Sequence, residues 1–271
     1  MTTSRTGIGG LSRKLSAILA LAVMPMSGMA VAQSTSANLV YIEQVGTSNT
    51  VTIEQVGGGN SVGGTAGTTT VATTGITTLT PTAASSSNYG TITGNNNIIG
   101  LTQTGDNNTA QYNIRGGNNT YNSTVTGSNN QTNLTIGSSN AANNTQNVIT
   151  ETIIGDSNTI IQQITGTQIA SLNTITGNNN QVTNSLLSSR GSVSNTVTGN
   201  FNVYNSQQID GAGVNGHQLV MNTLGDYNSI TTQQQGSNDT TVNIATTGSN
   251  NTITVRTGST AISNPVSAIS R

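Results

Sequence analysis

The sequence predicts an all-β chain wound as a β-solenoid, and three observations predict it. The motif G-x-x-N returns at multiples of eleven residues, the residues between alternate in polarity, and the composition cannot fill an ordinary core. Only 6% of the 271 residues are charged and 3% aromatic, with no Trp and no Cys. A globular core needs large apolar side chains to offset the entropy of ordering. Disorder goes with high net charge and few β-branched residues, whereas this chain has a net charge of −1 and abundant Val, Ile and Thr. Polar, weakly charged and β-prone sequences stack in an ordered way.

Residues 1–32 form a separate unit. Arg5, Arg13 and Lys14 precede the apolar run LSAILALAVM, Pro25 and Gly28 break it, and Ala30-Val31-Ala32 supplies small residues for cleavage. This is the layout of a secretory signal peptide cut after Ala32, and the run is too short to span a bilayer. Beyond it stand four arginines and no lysine against eight carboxylates. That balance offers no basic stripe to nucleic acid. An exported chain without cysteine holds itself together by backbone pairing.

Residues 33–60 are expected to hold the first rung, after the short lead QSTSAN at 33–38. Gln44-Val45-Gly46 returns as Gln55-Val56-Gly57, and Asn49 returns as Asn60. Residues 61–93 keep no clean turn and contain Pro81, as an insertion or a degenerate rung. Regular repeats resume over 94–258, and 259–271 form a tail. The expected turn glycines are Gly46, Gly57, Gly94, Gly105, Gly116, Gly127, Gly155, Gly177, Gly199, Gly225, Gly236 and Gly248, with a further GSSN at 137. GTQI at 166 and SSRG at 188 fill two turns that lack the motif, and residues 210–222 add four residues and the single His217. Gly and Asn suit these turns because both tolerate positive φ.

Between turns, positions 3, 5, 7 and 9 after the glycine read Asn108, Ala110, Tyr112, Ile114, or Asn158, Ile160, Gln162, Ile164. Even positions are mostly Thr, Ser, Asn and Gln. This is a half-buried strand, odd side inward. Two strands and two turns make a rung of 22 residues, and about nine rungs give a slab on the order of 45 Å long. Inward amides are expected to pair from rung to rung, because a buried unpaired amide costs about 1–3 kcal/mol.

No catalytic constellation is present. His217 lies in a Gly-rich stretch and reads as a solvated loop residue, and with no Cys and no second His a transition-metal site lacks ligands. Asp106, Asp156 and Asp226 recur in G-D-x-N turns and read as turn formers rather than calcium ligands. The sequence therefore points to no enzyme, no cofactor, no metal and no small-molecule substrate.

The spacing Q-x-G-x-x-N-x-[AV]-x-[IL]-x-Q, carried by Gln44 to Gln55 and again by LTQTGDNNTAQYNI at 101–114, resembles the repeat of curlins, the subunits of bacterial curli amyloid fibres. The likeness is full over 40–60 and 94–114 and looser to about 258. It implies strand-turn-strand rungs, export from a Gram-negative bacterium through an outer-membrane pore, and templated growth outside the cell, with a second curlin-like subunit as nucleator. It implies fibres that hold biofilms together and adhere. On the same resemblance the self-assembly ladder would be Gln44, Asn49, Gln55, Asn60, Asn97, Gln103, Asn108, Asn119, Asn130, Asn158, Asn180, Asn202, Asn228 and Asn251. A monomeric surface solenoid, as an adhesin or an ice-binding protein, is the competing expectation. Against ice binding, outward pairs read Thr50/Thr52, Thr109/Gln111 and Gln131/Asn133, with no fixed T-x-T register.

Overall fold

The computed structural model describes residues 37–63, 66–70, 77–81, 89–137, 146–165, 167–187, 190–209 and 216–258. The expected signal peptide and C-terminal tail lie outside them. The chain winds in tiers. The first holds β1 (Leu39–Val40), β2 (Ile42–Val45) and β3 (Thr50–Val56). The second opens with β4 (Ser61–Val62), departs into β5 (Ala66–Thr70) and β6 (Thr77–Pro81), and closes with β7 (Gly90–Thr93) and β8 (Ile98–Thr104).

Paired strands then follow, two to a tier: β9 (Thr109–Arg115) with β10 (Thr120–Thr126), and β11 (Gln131–Ile136) with β12 (Val148–Ile154). Next come β13 (Thr159–Ile164) with β14 (Ile169–Thr176), and β15 (Gln181–Leu187) with β16 (Gly191–Thr198). The last are β17 (Val203–Ile209) with β18 (His217–Leu224), β19 (Ser229–Gln235) with β20 (Thr241–Thr247), and a closing β21 (Thr252–Gly258).

The tiers stack into two parallel sheets facing one another. One sheet runs from β1 and β2 to β21, and the other from β3 to β20 with eight strands. Among the described residues the result is eight full turns and one further strand, against the nine or so expected from the period.

Parity does what the sequence asks. In β10, Tyr121, Ser123 and Val125 are buried while their neighbours face out. Apolar columns fill the space between the sheets, such as Ile114, Ile136, Ile164 and Leu186, each in register with the next. Stacked β-branched and γ-branched side chains fit a pleated inner face, and each fully buried one contributes about 1.5–3 kcal/mol. One outward column of the first sheet breaks the pattern, because Gln111, Asn133, Ile161 and Thr183 are also buried. The second sheet's β10, β14, β16 and β18 alternate throughout.

The irregular stretch 61–93 has a definite place. Val62 pairs with Ala110 and Thr91 with Asn113, so β4 and β7 lie end to end over β9 as one interrupted strand. Gly63 donates its N–H to Ala110 O, and Gly90 donates its N–H to Tyr41 O. Between them β5 and β6 form an antiparallel hairpin, Ala66 opposite Pro81 and Thr70 opposite Thr77. A departure in mid-strand that returns to the same register leaves every inward side chain on its own face.

Candidate functional site

The turns from the second sheet back to the first form a regular edge. All eight keep G-x-x-N: 57–60, 105–108, 127–130, 155–158, 177–180, 199–202, 225–228 and 248–251. The glycine and the residue two on both have positive φ, as in Gly177 (φ 129) and Asn179 (φ 56). A Cβ on Gly177 would stand 1.9 Å from the carbonyl oxygen of Gly199 in the next tier. The glycines are thus a column of close backbone approaches as well as turn formers.

The asparagine that closes each turn points inward and builds a ladder. Asn130 donates N–H and Nδ2 to Asn108 Oδ1 at 3.0 and 3.1 Å, and Nδ2 also reaches Gly155 O at 2.7 Å. Asn158 repeats this against Asn130, Asn180 against Asn158, and so on through Asn202, Asn228 and Asn251. At the other end Asn60 joins Asn108, and Asn60 itself donates to Oδ1 of Asn38 at 3.0 Å. Asn38, expected to lie in the lead segment, is a ladder position. Its clue was in the text, since Asn38 precedes Asn60 by 22 residues.

The opposite edge carries a shorter ladder. Asn49, Asn97 and Asn119 stack there, and Asn147 continues them, donating Nδ2 to Asn119 Oδ1 at 2.8 Å. The rung comes from Asn147 and not from the GSSN at 137, whose last three residues lie outside the described residues. Ile169, Gly191 and His217 follow in the same column. His217 is therefore not a solvated loop residue. It is fully buried, with Nδ1 2.9 Å from Thr240 Oγ1 and Nε2 3.0 Å from Ile209 O. The Gly-rich stretch ends at Gly216, and β18 begins with the histidine already inside.

Glutamines behave differently from asparagines. Gln55 donates to Gln103 Oε1 at 2.9 Å, and Gln208 to Gln234 Oε1 at 2.9 Å. These are single steps. Gln103 is in register with Val125, which cannot accept, and its Nε2 has no partner among the described residues. Gln44 sits over Ile92 rather than over another glutamine, and on the first tier it is exposed.

Asp106, Asp156 and Asp226 form one column with Ser128, Asn178, Asn200 and Ser249. Each caps a backbone N–H of the preceding tier, as Asp156 Oδ1 does for Ser128 at 2.7 Å. No group of three metal-ligating side chains gathers among the described residues. Phe201 and Tyr227, in the same turns, stack with centroids 5.0 Å apart.

A buried polar cluster in mid-stack was missed. Glu151 accepts from Tyr121 OH at 2.8 Å and from Gln162 Nε2 at 2.7 Å. Gln162 in turn is bonded to Ser171, and Asn173, Asn184 and Asn195 bridge the sheets. Burial pushes the Glu151 carboxyl up to about 7, against the lowering effect of its hydrogen bonds to Gln162 and Tyr121.

The outward face of the second sheet also differs from expectation. The three pairs read from sequence take the first two outward positions of their strands, and two of them, Thr109/Gln111 and Gln131/Asn133, lie on the first sheet. At the last two outward positions of β8, β10, β12, β14 and β16 on the second sheet a T-x-T register is present, broken once by Ile154. Thr102, Thr124, Thr152, Thr174 and Thr196 form one column. Thr104, Thr126, Ile154, Thr176 and Thr198 form the next.

Residues 30–66 match the family model of the curlin associated repeat. The chain carries a curlin repeat. No curated protein and no solved structure matches it. The match covers the first tier and the start of the second, where the ladders begin, and the same turn and parity extend to Gly258. The curlin repeat and the solenoid together support a curli-like structural protein.

Proposed function

We propose that this protein polymerises end to end, adding its first tier to the last tier of another copy, and so forms curli-like amyloid fibres outside the cell that serve biofilm matrix and adhesion. The asparagine ladder carries the reading. It runs from the first tier to β21, and at β21 no further tier among the described residues donates to Asn251 Oδ1. Continuing the register of β19 on β21 would set Asn38 of an incoming copy over Asn251, Val40 over Ile253 and Ile42 over Val255. Glu43 would fall over Arg256. Both ends would thus pair amide with amide, apolar with apolar, and opposite charges. The joint is stepped, because the first sheet extends one strand beyond the second; one more eleven-residue strand over β20 would level it.

Export through an outer-membrane pore, and a second curlin-like subunit that starts growth, fit the same reading and belong to it as partners. The test is seeded growth of the purified chain, followed by electron microscopy and a cross-β dye. Fibres whose tips accept fresh protein are expected. A chain that stays monomeric for days in the presence of seeds overturns the reading.

A further inference from the structure

We propose that the outward face of the second sheet binds ice, through the two threonine columns of its five central tiers. This proposal does not depend on fibre formation. Nine of the ten positions in these columns are threonine, from Thr102 and Thr104 to Thr196 and Thr198, and Ile154 is the tenth. All ten are at least partly exposed.

High β-propensity alone does not account for the columns, because it acts on both sheets. In the same five tiers the same two outward positions of the first sheet read Thr91/Thr93, Asn113/Arg115, Thr135/Gly137, Gln163/Thr165 and Ser185/Leu187, so four of those ten are threonine. Threonine is thus concentrated on one face, where it holds nine of ten.

Backbone register fixes the array. Tiers lie about 4.8 Å apart and alternate residues of a strand about 6.6 Å apart. Both distances are near the oxygen repeats of hexagonal ice along its a and c axes. Threonine is stiff at χ1, so each hydroxyl and each methyl is already in place before contact, and little rotamer freedom is lost on binding. Rows of methyls hold water between them without competing for its hydrogen bonds, and the hydroxyls anchor those waters to the protein.

The chemistry of the face narrows the occupant. Among the described outward residues of this sheet, Glu54 is the only charged one and none is aromatic. A charged polymer finds no counter-charges here. A crystalline polysaccharide would lack the aromatic platforms on which sugar rings stack. A neutral lattice of water remains.

The experiment compares wild type with T124K/T176K on the second sheet and with Q163K/Q207K on the first, which adds the same charge elsewhere. Circular dichroism checks the β-fold, and T102Y/T198Y repeats the test if the first pair does not fold. Wild type should shape growing ice crystals and block recrystallisation. T124K/T176K should need roughly tenfold more protein or more, since the contacts act together, and Q163K/Q207K should match wild type. Wild type that leaves ice unshaped, or equal loss in both lysine variants, overturns the proposal. So does retention on microcrystalline cellulose, lost in T124K/T176K, without any effect on ice. Fibre growth scored in parallel separates failure here from failure of the assembly reading.

Discussion

Glu151 is a carboxyl held in mid-stack by Tyr121 and Gln162, and its titration is the residue-scale property most open to measurement. In the unfolded chain it titrates near 4.5, and in the fold at about 7. The folded state therefore binds the proton more tightly. The stabilising contribution is fully present below about 4.5 and is lost as pH rises through about 7, an amount on the order of 3 kcal/mol. Denaturant midpoints should fall from pH 5 to pH 8 in wild type and stay level in E151Q; a variant that keeps the wild-type slope would remove the carboxyl from the account. Gly177 gives a second test. Alanine there must accept a positive φ and a Cβ 1.9 Å from Gly199 O, which predicts a loss of at least about 1–3 kcal/mol. At Gly248, in the last turn, the nearest atom to an added Cβ is Asn251 Nδ2 at 3.7 Å. G248A should cost the monomer less than G177A, as thermal melts can show.

At the scale of elements, the ladder and the interruption of the second tier make separate predictions. N130A removes the donor to Asn108 and Gly155 and the acceptor for Asn158, so a loss of about 2–3 kcal/mol is expected, where T124A on the outer face should stay within about 0.5. Deleting 64–89 joins Gly63 to Gly90 and should fuse β4 and β7 into one strand, with the circular dichroism signal per residue kept or strengthened. Collapse of the fold would mean that the excursion supports the tiers. Much of this was legible in the letters. The solenoid, the parity and the regular edge follow from G-x-x-N and alternation, since a one-residue slip inverts every side chain. What escaped did so for local reasons. Asn38 looked like lead because no glycine stands three residues before it. Asn147 and His217 hid behind extra residues that break the count without breaking the stack. Glu151 fell on an inward position that only becomes visible once Asn147 is taken as the start of its strand. The threonine columns were missed because the outward pairs compared were the first two positions of each strand and not the last two, and because Thr109/Gln111 and Gln131/Asn133 belong to the other sheet.

At the scale of the whole molecule, the two ends decide whether the stack continues. E43R or R256E alone should slow seeded elongation several-fold by placing like charges across the joint, and the double reversal should recover much of the rate. Fluorescent-dye growth curves report it, and a double variant no faster than the singles would place the joint elsewhere. The two long edges have unequal histories. On one, every turn has the same four-residue form. On the other, four residues join β9 to β10, but eleven join β11 to β12 and seven join β17 to β18. One margin is a spine and the other a seam that has already been opened several times. Foreign peptides spliced into that seam, beside Asn147 or Gly216, would be carried along a filament at regular intervals, all on the same side, without a word of the spine being rewritten.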